Sequence, residues 1–192
     1  MTVFFRLLLA IPHFIWSAIW QYVFLLCVFW AWLVALFFGR LEDDLHSFLA
    51  RYVRYMTHLY AYTFLLADPF PRFRGYAGTY PVDVEIDGAG RQSRWKTFFR
   101  LILAIPALVF SAVLMTVLQV VAFAGWFVTL VLGRMPRGMR DLGAYCLRFN
   151  TQTYAYVSLL TARYPSLASG SVPGAESAPA GPEPEAIPPR SP

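Results

Sequence analysis

The sequence contains two long runs without a charged side chain, Leu7 to Phe38 and Leu101 to Leu132. As one helix at about 1.5 Å per residue, the first run would extend roughly 48 Å, against about 30 Å for the hydrocarbon core of a bilayer. The whole chain is 58% hydrophobic and only 14% charged, whereas a soluble domain is about half apolar and about a quarter charged. We therefore expect the excess apolar surface to face lipid.

The two runs belong to copies of one segment. A shift of 94 positions aligns Phe4–Pro71 with Phe98–Pro165 without a gap, and 26 of the 68 aligned positions are identical. The matches include Arg6 with Arg100, Pro12 with Pro106, Trp32 with Trp126, Gly39-Arg40 with Gly133-Arg134, and Arg54 with Arg148. Such self-similarity indicates a tandem duplication, and the two segments are called copy one and copy two below.

Each copy is expected to begin with a long helix that its proline divides. Pro12 removes a backbone hydrogen bond and should kink the axis. This predicts an interfacial segment over Phe4–Ile11 and a membrane span from about His13 to Phe38. Gly39 and Gly133 follow the two runs, where a helix end favours a residue with positive φ.

The second apolar block, Leu45 to Leu66, is predicted to be a helix capped by Asp43 or Asp44. Arg51, Arg54 and His58 fall on one face of it, and an arginine near the midplane costs about 2.5–3.5 kcal/mol on insertion scales. Two alternatives stay open. Either this face points into a four-helix bundle, which we favour, or the helix lies partly in the interface with its arginines snorkelling.

The favoured alternative is an all-α membrane protein of two tandem helical hairpins, with four transmembrane helices and a short β-containing linker. Two spans per copy would make the copies parallel, related by an axis along the membrane normal. The expected location is the cell inner (plasma) membrane, multi-pass. A slight excess of Lys and Arg on the terminal face predicts cytoplasmic termini.

The predicted layout is a first hairpin over residues 1–71, a linker over 72–97, a second hairpin over 98–166 and a disordered Pro/Ala-rich tail over 167–192. In the linker, Val82, Val84 and Ile86 alternate with three acidic residues, a pattern typical of a short strand. The acids resemble the start of a calcium loop. However, its twelfth position is Arg94 instead of the bidentate Glu, so we prefer a solvated strand face.

The sequence shows little sign of catalytic chemistry. It has no Gly-rich phosphate loop, H-E-x-x-H or G-x-S-x-G motif. Its three histidines lack ligand spacing, and Cys27 and Cys146 lie in apolar runs typical of buried thiols. We expect no enzymatic activity, no cofactor, no metal and no nucleic-acid partner.

One set of polar residues is a candidate contact for a lipid, an anion or a partner protein, because a cation inside a membrane segment is often functional. Its alternative role is structural, with the arginines bonded to backbone carbonyls or snorkelling. The set consists of Arg51, Arg54, His58, Arg148 and Gln152.

Several motifs resemble one known family: "RLLLAIPH" at Arg6–His13, "LLADPFP" at Leu65–Pro71, "YPV" at Tyr80–Val82 and "SRW" at Ser93–Trp95. They are similar to a bacterial membrane-protein family described only as a domain of unknown function, number 4389. The resemblance covers about residues 4–166 and implies an integral membrane protein, often duplicated. Copy two departs from the pattern at Ala107, where the histidine is missing. The resemblance implies no activity, substrate or catalytic residue.

Three functions fit these observations. The leading hypothesis is a non-enzymatic scaffold or accessory subunit of a membrane complex, which binds other membrane proteins or itself. The second is binding or transport of a lipid or an anionic solute through the polar residues at the repeat interface. The third is membrane shaping by hairpins whose second helices do not cross. Membrane lipids are expected partners in all three.

Overall fold

A computed structural model describes residues 2–82, 84, 86, 88 and 94–167. These residues form four helices: α1 (Thr2–Phe38), α2 (Asp43–Thr63), α3 (Arg94–Leu132) and α4 (Arg137–Val157). The prediction of two successive helical pairs is confirmed. Residues 168–192, most of the predicted tail, lie outside the described residues.

The linker between α2 and α3, residues 64–93, has no strand over its described part. Val82, Val84 and Ile86 are irregular, and the three acidic residues between and after them lie outside the described residues. A strand requires a paired backbone, whereas the Val84 carbonyl accepts a hydrogen bond from the Arg54 side chain at 3.3 Å. For these described residues the predicted strand is wrong.

Both long helices continue through their prolines. Pro12 lies inside α1 and Pro106 lies inside α3, so Phe4–Ile11 and the following span belong to one helix; the predicted interfacial position of Phe4–Ile11 stays a prediction. A proline deletes one backbone hydrogen bond, whereas a full break in apolar surroundings would leave several backbone groups unsatisfied. A continuous helix therefore costs less free energy than a break at the proline.

Two of the four helices are long and apolar enough to cross a membrane. The apolar segments are Leu8–Phe38, with 31 residues, and Thr97–Leu132, with 36 residues. Among the described residues, α2 and α4 do not qualify as such spans. The prediction of four transmembrane helices is therefore supported only for α1 and α3.

The ends of the helices repeat between the copies. Gly39 and Gly133 both have φ of 71° directly after α1 and α3, as predicted. Leu65 and Leu159 have φ of 62° after α2 and α4, a left-handed conformation rare for leucine. The α2 N-cap is Glu42, without a side-chain hydrogen bond, so the predicted aspartate cap is wrong.

Equivalent residues of the two copies meet where α2 contacts α4. The hydroxyls of Thr57 in α2 and Thr151 in α4, 94 positions apart, lie 2.9 Å from each other. A contact between equivalent residues is the signature of a two-fold axis. The copies are thus related by an approximate internal two-fold axis that passes between these threonines.

The long helices α1 and α3 are antiparallel. Trp32, near the end of α1, donates a hydrogen bond from Nε1 to the Val157 carbonyl at 3.0 Å. Arg100, near the start of α3, donates to the adjacent Tyr156 carbonyl at 3.4 Å. In a parallel pair Trp32 would be level with Trp126, roughly 39 Å along α3 from Arg100 at about 1.5 Å per residue. The prediction that the spans of the two copies run in parallel is therefore wrong.

Each long helix is buried along one stripe only. The buried positions of the two stripes recur at intervals of three, four or seven residues, as one helical face requires. They are Arg6, Ala10, His13, Ser17, Phe24, Ala31 and Ala35 in α1, and Thr97, Arg100, Ala104, Ala107, Ser111, Leu118, Ala122 and Gly125 in α3; Trp32, next to Ala31, is also buried. Large apolar side chains cover the remaining surface of both helices and are exposed. The molecule therefore has a wide apolar side formed by α1 and α3.

Candidate anion-binding cavity

A cavity of about 300 Å³ lies between α2 and the linker. Its lining residues come equally from the helix and from the linker. They are His46, Ser47, Ala50, Arg51 and Arg54 of α2, and Gly75, Tyr76, Ala77, Ile86 and Gly88 of the linker.

The helical wall follows from the period of α2. Ser47, Ala50, Arg51 and Arg54 are spaced by three or four residues or lie next to such positions, so they share one face. Small side chains at positions 47 and 50 leave room between the longer basic ones. The result is an open recess with arginines on one wall.

The linker fixes both arginines. The Arg51 guanidinium lies 5.4 Å from the centroid of the Tyr76 ring, within cation–π range. The Nε of Arg54 donates to the Val84 carbonyl at 3.3 Å. Arg51 is exposed and Arg54 is half-buried, so the cavity opens to solvent on the Arg51 side.

Gly75 brings the linker against the α2 backbone. Its φ is +56°, and a Cβ at this position would meet the Arg51 carbonyl oxygen at 2.2 Å and the Tyr55 nitrogen at 2.9 Å. No other residue type has room for this approach. The width of the cavity therefore depends on a glycine at position 75.

The described residues that line the cavity are basic or uncharged. Two arginines and a histidine are among its described lining residues, and none of those ten is acidic. Guanidinium groups present planar arrays of N–H donors that match phosphate and carboxylate oxygens. The cavity thus suits an anion with several oxygens.

The residues predicted as one contact set are divided by the structure. Arg51 and Arg54 meet in the cavity, but His58 is buried with its ring 4.7 Å from that of Tyr80. Arg148 and Gln152 lie on α4 and do not line the cavity.

The α4 pair has other contacts. The Arg148 guanidinium lies 5.6 Å from the Tyr145 ring centroid. The Gln152 Oε1 accepts a hydrogen bond from the Ser166 backbone at 3.2 Å. Arg148 is the repeat counterpart of Arg54, so the two equivalent arginines have different surroundings among the described residues.

Sequence reasoning missed the most deeply buried arginines, Arg6 and Arg100, which are 6% and 5% exposed. Arg6 donates to the carbonyls of Tyr62 and Ala67 at 3.2 and 3.1 Å and to the Asp68 carboxylate at 2.8 Å. Arg6 and Arg100 lie 4.7 and 4.5 Å from the rings of their tyrosines. The sequence could have indicated this pairing, because the arginine (Arg6, Arg100) and the tyrosine (Tyr62, Tyr156) are both retained in each copy.

Buried polar groups near the cavity hold the linker in place. The Tyr80 hydroxyl donates to the Pro69 carbonyl at 2.7 Å, and burial raises the pKa of Tyr80 to about 12. His13 Nδ1 lies 3.0 Å from the Tyr55 hydroxyl, and its ring stacks on Phe73 at 4.0 Å. The stacking docks the linker onto α1, and the Tyr80 hydrogen bond joins two parts of the linker.

Comparison with protein families identifies what the two copies are. The family "Domain of unknown function (DUF4389)" matches residues 1–74 and 94–169. The chain belongs to this family and carries it twice. The two matched ranges coincide with the two halves related by the internal axis. Neither the curated proteins nor the solved structures contain a match to this chain.

Proposed function

We propose that this protein is a non-enzymatic membrane protein that binds a phosphate-bearing anion in the cavity between α2 and the linker. The observation that supports the proposal is the pairing of Arg51 and Arg54 on one wall of a cavity of about 300 Å³. A cavity of this size is at the lower end of the range of small-molecule sites, about 300–1,000 Å³. It accommodates a phosphate group with a small substituent.

A lipid headgroup and a soluble phosphate share this chemistry. The headgroup is favoured because α2 packs directly on the apolar helix α1. The Trp20 ring of α1 lies 5.5 Å from that of Tyr52 and 6.1 Å from that of Phe48. The arginine wall is therefore only one helix away from the apolar side of the molecule.

The test uses Arg51→Gln and Arg54→Gln, with Arg148→Gln as the matched control because it alters the repeat counterpart of Arg54 outside the cavity. Each variant is purified and reconstituted in nanodiscs containing phosphatidylglycerol and phosphatidylcholine. Bound lipid is counted by native mass spectrometry, and inorganic phosphate is titrated separately by calorimetry. A hydrogen bond to a charged group contributes about 1.5–3 kcal/mol, so loss of either cavity arginine should weaken binding by about tenfold or more.

The outcomes of these measurements distinguish a lipid headgroup from a soluble phosphate as the ligand. Retained phosphatidylglycerol that is lost in both cavity variants but not in Arg148→Gln supports a lipid headgroup. Phosphate binding with the same pattern, without retained lipid, supports a soluble ligand. Equal binding in all three variants and the unaltered protein would refute the proposal.

The scaffold hypothesis stays a prediction. A scaffold should co-purify with another membrane protein, and Arg54→Gln should leave that association intact. Loss of the association in Arg54→Gln would instead connect partner binding to the cavity.

A further inference from the structure

We infer that α1 and α3 lie in the plane of the bilayer and are embedded in a single leaflet, so that neither helix crosses the membrane. The partner of the apolar side is thus the acyl chains of one phospholipid leaflet. This goes beyond the proposed function and does not depend on it.

The first observation is that α2 runs along α1. Contacts occur at three successive levels: Arg6 with Tyr62 at 3.2 Å, His13 with Tyr55 at 3.0 Å, and the rings of Trp20 and Phe48 at 6.1 Å. These levels span 15 residues of α1 and 15 of α2. Over Arg6 to Trp20, α1 is therefore covered lengthwise by α2, and beyond this part Trp32 meets the end of α4.

Copy two repeats this cover. Arg100 contacts Tyr156 of α4 at 3.4 Å, and Ser111 accepts a hydrogen bond from Asn150 at 2.8 Å. Because Thr57 and Thr151 meet on the internal axis, α2 and α4 lie side by side. The molecule thus has two layers, α1 with α3 and α2 with α4.

The second observation is that irregular, charged chain covers the outer side of α2. Gly75 is against the α2 backbone, and the Tyr80 ring is stacked on that of His58. Arg72 and Arg74, in the same segment, are exposed. Lipid-exposed irregular backbone does not occur within the hydrocarbon region, and an arginine there costs about 2.5–3.5 kcal/mol. The layer of α2 and the linker therefore lies in water or among headgroups along its length.

A helix covered lengthwise by a solvated layer cannot stand across the bilayer, because that layer would have to cross with it. Lying flat solves this conflict. The stripe with Arg6, His13 and Ser17 then faces the polar layer, and the opposite side of α1 faces acyl chains. The internal two-fold axis is then along the membrane normal.

The third observation is length. Segments of 31 and 36 residues extend about 46 and 54 Å at about 1.5 Å per residue. To fit within about 30 Å they would need tilts of roughly 50° and 56°, beyond the observed range of about 0–40°. A helix in the plane of the leaflet has no such mismatch.

The test is the side from which single cysteines react with a membrane-impermeant maleimide in sealed, oriented vesicles. The background is Cys27→Ala with Cys146→Ala, and the probes are Glu42→Cys, Arg72→Cys and Arg137→Cys, all at exposed positions. Vesicles opened with detergent define full labelling for each probe, so a misfolded variant is recognised by labelling of unlike extent.

The in-plane arrangement predicts that all three probes react from the same side. Reaction of Glu42→Cys and Arg72→Cys from one side and of Arg137→Cys from the other would mean that α3 crosses, and would overturn the inference. Reaction of Arg72→Cys alone from the opposite side would establish four spans and overturn it equally. Failure of the anion-binding test would leave this result unaffected.

Discussion

The contact of Gly75 with α2 gives the sharpest prediction about how the cavity is built. In Gly75→Ala, the new Cβ would lie 2.2 Å from the Arg51 carbonyl oxygen. A non-glycine residue in left-handed conformation costs about 1–2 kcal/mol, and overpacking costs typically about 1–3 kcal/mol more. We therefore expect a total of about 2–5 kcal/mol against docking of the linker.

Gly78→Ala is the matched control. Gly78 has φ of +69° but nothing within 4 Å of the position of a Cβ, so only the conformational cost of about 1–2 kcal/mol applies. The assay is amide hydrogen exchange of the linker, followed by mass spectrometry in nanodiscs. The difference of about 1–3 kcal/mol between the variants corresponds to roughly 5- to 150-fold faster linker exchange in Gly75→Ala. Equal exchange in the two variants would refute the packing of the linker on α2.

Three further predictions concern the internal axis, the linker and the buried arginine. Thr57→Val and Thr151→Val should each destabilise, and the double variant should cost about 1 kcal/mol less than their sum in thermal unfolding, since the hydroxyls are hydrogen-bonded; strict additivity would contradict this. Burial raises the pKa of Tyr80 to about 12 from an ordinary value of about 10. The protonated hydroxyl therefore contributes fully to the stability of the fold below about pH 10, and this contribution is lost as the pH rises towards 12. Tyr80→Phe should flatten the resulting alkaline decline of the melting temperature, and an unchanged decline would contradict the prediction. Asp68 is 97% exposed in its ion pair with Arg6, so Asp68→Asn should cost less than about 1 kcal/mol. Arg6→Ala, which removes the donor of the Tyr62 and Ala67 carbonyls, should cost clearly more; equal losses of stability would count against the buried role of Arg6.

The repeat was the most informative part of the sequence. The shared helix pairs and the glycines at 39 and 133 follow from local rules, namely apolar runs followed by a residue free to adopt positive φ. These were predicted correctly because nothing distant in the chain alters them. The family match over both copies confirms the duplication.

The relative direction of the copies could not be read in this way. It depends on which end of α1 meets which end of α3, and periodicity is the same for parallel and antiparallel helices. The contacts of Trp32 and Arg100 with adjacent residues of α4 decide it. The prediction of parallel spans rested on four membrane crossings, of which only those of α1 and α3 are supported.

The candidate site was predicted only in part. Arg51 and Arg54 were chosen for their shared helical face, and they do share the cavity. The second wall is an irregular segment whose course is determined by long-range packing, so its tyrosine and glycine carried no recognisable signal. The sequence showed that both copies retain the arginine at positions 6 and 100, but arginines placed near the lipid headgroups explained this equally well.

The most direct test of the two-layer account is the depth of α1 in the membrane. Leu8, Ile15, Tyr22 and Phe29 are 60%, 61%, 74% and 65% exposed and lie seven residues apart, opposite the buried stripe. They extend over about 32 Å of helix at about 1.5 Å per residue. Nitroxides placed singly at these positions report depth through their relative accessibility to oxygen and to a water-soluble nickel complex. The account predicts one nearly constant depth within a single leaflet. A profile that is deepest in the middle and shallow at both ends would show that α1 crosses the bilayer, and would contradict it.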